Sequence, residues 1–197
     1  MTDNSRGWKE FLFSYRSYTP IPFLIVMVFY ADPKVSTMIT GFALGIAGEA
    51  LRFWGVSYAG SETRTTGTVG GSKLVVSGPY AYVRNPLYAG NIILYTGVGI
   101  MSNALVPYLQ LAALAYFAFQ YTAIVSLEEE YLSKTFPEWA DYVQQVPKFI
   151  PKFRKYASNQ DLKPDFKKAL RSERSSILAF SIMTIFLLTI LLMRGSY

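Results

Sequence analysis

The chain has 197 residues, of which 51% are hydrophobic and 16% are charged, whereas soluble domains carry about 25% charge. This balance argues against a soluble globular protein. The chain contains no His and no Cys, which excludes disulfides, thiolate nucleophiles, imidazole bases and zinc sites built from His or Cys ligands. The net charge of +6 indicates an anionic partner, and the hydrophobicity favours lipid over nucleic acid.

Five apolar runs follow one another along the chain, at 21–31, 35–58, 87–101, 104–127 and 177–193. A helix needs about 20 residues to cross a membrane. The first run is short and reaches that length only if residues 11–15 extend it while Arg16 snorkels to the headgroups. The sequence predicts a single all-α integral membrane domain over 1–197, with about five transmembrane helices, a cytoplasmic loop and a helical cytoplasmic tail.

Small residues and prolines suggest how these runs pack. Gly41, Gly45 and Gly48 lie in the second run, where a neighbouring helix can approach closely. Pro86 suits the first turn of the third helix, because its missing N–H would be unpaired there in any case. The connection from the third run to the fourth is very short, which predicts an antiparallel hairpin.

The distribution of Lys and Arg predicts the topology, because these residues favour the cytoplasmic side of short loops. Sixteen of them lie in segments 1–20, 59–85 and 128–176, while Lys34 and Arg194 would lie outside. This asymmetry predicts a cytoplasmic N-terminus and an external C-terminus. The polar start of the chain argues against an N-terminal signal peptide.

The stretch Lys148–Arg174 carries nine basic and three acidic residues, interleaved with aromatic side chains. Such a composition favours contact with an anionic leaflet, each basic residue near the surface contributing about 1 kcal/mol. A solvated linker to the last span is the alternative. The segment is short and tethered to a membrane, which argues against nucleic-acid binding.

Glu128, Glu129 and Glu130 follow the fourth run, at the start of a helical stretch predicted to continue through Tyr142. Successive helix positions lie about 100° apart, so one or two carboxylates can face a cavity while another faces water. Carboxylates near hydrocarbon are costly unless they are paired or hydrated. The alternative is a simple marker of the end of the span.

The loop 74–88 places a turn, tyrosine hydroxyls and the Arg84 guanidinium at the entrance of the third helix. Its free backbone groups can bind the edge of a base. The hairpin topology brings Arg84 to the level of the glutamates 128–130, so the sequence predicts a shared site. An Arg–Glu salt bridge that closes the hairpin is the alternative.

These motifs resemble a membrane methyltransferase family that includes isoprenylcysteine carboxyl methyltransferases and phospholipid N-methyltransferases. The similarity covers about residues 65–151. It rests on Gly78-Pro79-Tyr80, Arg84-Asn85-Pro86-Leu87-Tyr88, Glu128-Glu129 with Leu132, and Val146-Pro147.

The resemblance implies S-adenosylmethionine as cofactor, bound at the cytoplasmic end of the hairpin, and a lipid-like or prenyl-type acceptor that enters from the bilayer. Glu128 would hold the amino-acid end of the cofactor, and Arg84 and Glu129 are the candidates for the reacting centre. The predicted cofactor-binding residues are Ser72, Lys73, Leu74, Val75, Tyr80, Asn85, Pro86, Tyr88 and Glu128.

Two departures from the family pattern bear on the substrate. Asn85 replaces a histidine, and Ile124 stands where isoprenylcysteine enzymes carry an arginine that engages the substrate carboxylate. The loss of that cation argues against strict isoprenylcysteine specificity. Carboxyl O-methylation of a prenylated cysteine remains the first alternative.

Two further alternatives come from other classes. Membrane sterol reductases that use NADPH share the fold, although Arg64, Lys73 and Arg84 are too scattered to favour a 2′-phosphate site. A non-catalytic membrane scaffold is the other possibility, and it predicts that the pocket residues tolerate substitution.

Charges inside the second span are also functional candidates, because ionisable residues in hydrocarbon are costly. Glu49 and Arg52 lie three residues apart on one helix face and, with Glu62 and Arg64, are predicted to line the acceptor pocket. A self-neutralising structural pair is the alternative.

Overall fold

The computed structural model describes residues 4–60, 72–158, 160 and 162–194. These residues form α-helices and a short 3-10 turn at Gly78–Ala81, and the described ranges contain no strand. The helices are α1 (Asn4–Tyr15), α2 (Ile21–Phe29), α3 (Val35–Ala59), α4 (Pro86–Ser102), α5 (Tyr108–Thr135), α6 (Trp139–Gln145) and α7 (Phe166–Arg194).

Helices α3 and α4 make the closest helix–helix contact, through glycines. A Cβ atom at Gly48 would lie 2.5 Å from the Leu94 backbone nitrogen, and one at Gly41 would lie 2.4 Å from the Gly97 carbonyl oxygen. A side chain at either position would therefore force the two backbones apart. The predicted close approach of a helix to the second apolar run is confirmed, and α4 is the neighbour.

Helix α7 packs against α3 and also contacts α4. The Phe180 ring occupies the space beside Gly45, where a Cβ would meet it at 2.4 Å. Phe53 and Phe166 stack with ring centroids 6.0 Å apart, and the Asp165 amide donates to the Ser57 carbonyl at 2.8 Å. The C-terminal helix is therefore an integral part of the bundle.

The predicted hairpin is present. Helix α4 begins at Pro86, as expected, and ends at Ser102, where the left-handed backbone conformation of the following Asn103 terminates the helix. The Asn103 side chain donates to the Asp32 carbonyl at 2.9 Å. Helix α5 then returns along α4, which brings residues 128–130 to the level of the loop before Pro86.

The prediction of a single helix for the first span is wrong. Helix α1 ends at Tyr15, and α2, only nine residues long, begins at Ile21 after a turn. Pro20 lacks an N–H and cannot continue the hydrogen-bond ladder of α1. The Arg16 guanidinium lies 4.0 Å from the centroid of the Phe13 ring.

The tail that follows α5 also differs from the prediction. The helix expected to run through Tyr142 ends at Thr135, and α6 starts after Pro137 because proline cannot donate to the preceding turn. Much of the basic stretch expected to be a tail is already helical, since α7 begins at Phe166, eleven residues before the predicted span at Ile177.

Helices α5 and α7 are long and apolar enough to cross a membrane. Helix α4 has 17 residues, just short of the usual spanning length, and α2 has nine. Helix α3 exposes a stripe of large apolar side chains at helical spacing, formed by Val35, Ile39, Phe42 and Ile46. The lengths and composition of the described helices therefore support two of the five predicted spans directly.

Candidate active site

A cavity of about 690 Å³ lies among the helices and the loop before α4. Most of the predicted site residues line this cavity, whereas Ser72 and Glu49 do not. Those that line it are Arg52, Lys73, Leu74, Val75, Tyr80, Arg84, Asn85, Pro86, Tyr88, Glu128 and Glu129.

The loop on the cavity rim is held by backbone hydrogen bonds to the tail. Gly78 has φ +61°, and a Cβ there would meet the Tyr58 ring at 2.4 Å, so this turn requires glycine. The Lys152 amide donates to the Tyr82 carbonyl at 3.0 Å. The Gln160 side chain accepts from the Val76 amide at 3.0 Å and donates to the Leu74 carbonyl at 2.8 Å. The tail thus fixes the loop that forms one wall.

Arg84 connects the loop before α4 with α5 and with the end of α6. Its Nε donates to Glu129 Oε1 at 3.0 Å, and its Nη2 lies 3.0 Å from the same oxygen. Its Nη1 donates to the carbonyls of Val143 and Val146, at 3.0 and 2.6 Å. The salt bridge considered as an alternative at this position is therefore present, and it also anchors the end of α6.

Glu129 is a shared acceptor for two cations. Its second oxygen, Oε2, lies 2.9 Å from Lys148 Nζ. Asn85 Nδ2 donates to the Lys148 carbonyl at 3.1 Å, so the residue in the family's histidine position contacts the same tail segment. Glu130 points the other way and pairs with exposed Lys134 at 2.6 Å. The predicted division of the three glutamates between the cavity and water is confirmed.

Tyrosines shape the region around Glu128. Tyr88 donates its hydroxyl to Glu128 Oε1 at 2.7 Å, and its ring lies 4.8 Å from that of Tyr121. The Tyr142 hydroxyl donates to the Tyr80 carbonyl at 2.7 Å. Burial raises the pKa of both Tyr80 and Tyr142 well above the usual range, so both phenols keep their protons at neutral pH.

Glu49 and Arg52 belong to a larger buried cluster that includes a residue of α7. Arg52 Nε donates to Glu173 Oε2 at 3.0 Å and lies 3.7 Å from Glu49 Oε2, while its Nη1 contacts Asn91. Ser176 donates to Glu49 at 2.8 Å. The predicted Glu49–Arg52 pair is present but incomplete without Glu173. Glu62 and Arg64, named with it, lie outside the described residues.

Sequence patterns missed several residues of the site. Arg16 lines the cavity and acts electrostatically on Glu128, although its only apparent role in the sequence was to flank an apolar run. Glu173 also lines the cavity and is 1% exposed. It lies beyond residues 65–151, the stretch that the sequence resemblance covers. Ile124, at the position of the family arginine, packs in the core with Phe117 and Tyr121.

A family model described as phospholipid methyltransferase matches residues 36–138, more than half of the chain. The chain belongs to this family, which is part of the isoprenylcysteine carboxyl methyltransferase-like group. The matched stretch takes in α3, the loop, α4 and α5, including Arg84 and the glutamates. It ends before α6, so α7 lies outside it.

Two curated relatives are similar over part of their length. The cobalt-zinc-cadmium resistance protein CzcN of Cupriavidus metallidurans is 34% identical over 128 residues, which cover 64% of this chain and 54% of that protein. The nickel-cobalt-cadmium resistance protein NccN of Alcaligenes xylosoxydans xylosoxydans is 34% identical over 107 residues, 54% of this chain and 46% of the relative. The chain therefore spans about half the length of these relatives.

No solved structure matches the chain significantly. Across the described ranges, no group of three or more His, Cys, Asp or Glu residues is placed to hold a metal ion.

Proposed function

We propose that this protein transfers a methyl group from S-adenosylmethionine to a lipid or prenyl-type acceptor at the membrane. The observation that carries the proposal is a single cavity into which Glu128, the Arg84–Glu129 pair and the loop 73–75 all project. The family membership supports methyl transfer, while the cofactor and the acceptor are our inferences.

The residues of the cavity fit the cofactor. Its sulfonium and α-ammonium groups favour carboxylates and aromatic faces, which Glu128, Tyr88 and Tyr80 supply. Its α-carboxylate favours a cation, and Arg16 lies on the same cavity near Glu128. The volume falls within the range of about 300–1,000 Å³ that is usual for small-molecule pockets.

When bound, S-adenosylmethionine supplies an electrophilic methyl group, and transfer is an in-line displacement that depends on alignment in a dry site. The protein side chains then have mainly a positioning role. Arg84 and Glu129, predicted at the reacting centre, hold α6 against the loop so that Trp139 and Tyr142 close the wall of the cavity. Both oxygens of Glu129 already pair with cations, one with Arg84 and the other with Lys148.

We also propose five membrane crossings, the first made by the turn after α1 and the short helix α2 and not by one long helix, with the N-terminus and the site on the cytoplasmic side. The exposed apolar stripe of α3 supports this, because such a surface is unfavourable in water. An anionic leaflet would contact the tail segment 148–155, where Ile150 and Phe153 are exposed beside Lys152 and Arg154.

The test is incubation of the purified protein with methyl-labelled S-adenosylmethionine and native lipid extract, followed by identification of the labelled species. We expect one labelled lipid class in the wild type and loss of at least about 90% of the label in Arg84→Lys, because lysine cannot reproduce the fork of hydrogen bonds. Glu130→Gln, at an exposed ion pair, is the matched control and should label normally. Absence of any labelled species with the wild type would contradict the proposal.

A further inference from the structure

Helix α7 contributes a cavity surface whose side chains change from polar to apolar along the helix. Six of its residues line it, and the polar ones come first: Glu173, Ser175, Ser176, Ala179, Phe180 and Met183. At 1.5 Å per residue this surface runs for about 15 Å from a carboxylate to purely apolar side chains. Such a gradient matches an amphiphile, with a polar head at one end and a chain at the other.

The α4 wall of the cavity ends in the same apolar region. Its lining includes Tyr88, Asn91, Leu94 and Val98 at helical spacing, together with Pro86, Leu87 and Tyr95. Tyr88 holds Glu128, Asn91 contacts Arg52, and Leu94 and Val98 belong to the apolar core. The Arg52 cluster therefore lies about one helical turn from the predicted cofactor residues, with the apolar part of the cavity beyond it.

The charges of the cluster define the chemistry it can accept. Two carboxyl groups, those of Glu49 and Glu173, share the single guanidinium of Arg52. Glu173 is 1% exposed and lines the cavity together with Arg52, so its carboxylate is the one that a head group meets. A charge-assisted hydrogen bond from a donor is stronger than a neutral one at such a carboxylate. The cluster thus favours a head group that donates hydrogen bonds and disfavours an anionic one.

We propose that α7 completes the acceptor site, with Glu173 as the residue that selects the head group. The acceptor is an amphiphile whose head is an amine or a hydroxyl group, and whose apolar chain lies along Leu94, Phe180 and Met183. An amine that binds as its ammonium ion must first lose a proton to solvent or to a carboxylate of the cluster. Its nitrogen lone pair then takes the methyl group, and the sulfonium leaves as the neutral thioether. This inference rests on the proposed methyl transfer and adds a substrate determinant from outside the family-matched stretch 36–138.

The test uses three probes with the same chain, namely decylamine, decanol and decanoate, titrated into the full chain in phosphatidylcholine nanodiscs. We expect decylamine to bind at least about tenfold more tightly than decanoate, with decanol between them, since like charges repel in a desolvated pocket. Glu173→Gln should reduce the preference of decylamine over decanoate at least about fivefold. Glu130→Gln changes a residue outside the cavity and should leave this preference unchanged.

A second variant keeps the test decisive if Glu173→Gln does not fold. Met183→Trp fills the apolar part and should weaken decylamine and decanol alike by about tenfold, without changing their order. Equal binding of decylamine and decanoate to the wild type would overturn the proposal, as would a Met183→Trp variant that binds both amphiphiles normally.

S-adenosylhomocysteine binding, measured on the same samples, separates this proposal from the proposed function. If S-adenosylhomocysteine binds but the head groups are not distinguished, only the acceptor proposal fails. If the wild type does not bind S-adenosylhomocysteine, the methyl-transfer proposal fails, whatever the amphiphiles do.

Discussion

The two ends of the cavity are built by different means. At the end lined by Glu128 and residues 73–75, here called the cofactor end because we propose that the cofactor binds there, side-chain hydrogen bonds from Arg84, Asn85 and Tyr142 hold a loop, a helix end and the tail together. At the deep end, glycine contacts and apolar packing hold α3, α4 and α7, with one charged cluster between them. Directional bonds therefore fix the first end, whereas close backbone approach fixes the second.

The largest effect is expected at the glycine contact of the deep end. In Gly48→Leu, the new side chain would start 2.5 Å from the Leu94 backbone nitrogen, which cannot move without displacing α4. We expect a loss of about 3 kcal/mol or more in the free energy of unfolding, or failure to fold. Unfolding by SDS in mixed micelles, followed by circular dichroism, measures this.

The matched control is Gly7→Ala, because a Cβ at Gly7 would meet nothing within 4 Å. This change should leave stability unaltered or raise it by about 1 kcal/mol, since alanine is the better helix former. A Gly48→Leu protein as stable as Gly7→Ala would show that the helices are not held by close approach.

At the cofactor end, the largest effect is expected from Arg84→Met. This change leaves Glu129 and the carbonyls of Val143 and Val146 without their guanidinium donor. Breaking a buried pair in this way costs about 3–5 kcal/mol. If the same SDS titration gives less than about 1 kcal/mol, comparable to an exposed pair, the network is not what fixes this end.

Tyr142→Phe should have an intermediate effect. It removes the 2.7 Å hydrogen bond to the Tyr80 carbonyl and should cost about 1–3 kcal/mol. Tyr156→Phe is the matched control, because its hydroxyl contacts Asp141 only at 3.5 Å. Equal losses of unfolding free energy in the two variants would show that the Tyr142 hydrogen bond does not contribute the expected stability.

The same bond predicts a pH dependence. Burial raises the pKa of Tyr142 above its unfolded value, so its contribution is fully present below about pH 10 and is lost as the pH rises through the folded pKa. The stability difference between wild type and Tyr142→Phe should therefore be constant from neutral pH to about pH 9. A difference that shrinks within this range would contradict the assignment.

The smallest effect is expected for Lys134→Met, which breaks the exposed pair with Glu130 on α5. Pairs of this spacing contribute about 0.2–0.5 kcal/mol, and salt weakens them. The unfolding free energy should fall by no more than this amount, and the difference should disappear in high salt. A larger loss would show that the outer face of α5 is structurally coupled to the cavity.

The sequence predicted the geometry around Arg84 well because its signals are local. Pro86 marks the start of α4, and the predicted hairpin placed Arg84 at the level of Glu129, which it contacts. The glycines of α3 likewise predicted a close neighbour. These features depend on short stretches of chain and on a hairpin whose connection is short.

The parts that could not be predicted depend on long-range packing. Glu173 meets Arg52 across 121 positions of sequence, and nothing near Glu173 indicates this partner. Arg16 appeared to flank a single span because the apolar content of residues 11–31 hides the turn between α1 and α2. The break at Pro137 was the exception, since the proline itself could have indicated it.

The most direct test of the central claim is calorimetric titration of S-adenosylhomocysteine into the full chain in nanodiscs. The wild type should bind, Glu128→Gln should bind at least about tenfold more weakly because a charge-assisted contact is lost, and Glu130→Gln should match the wild type. No binding by the wild type, or equal binding by Glu128→Gln, would contradict a cofactor site at the Glu128 end of the cavity.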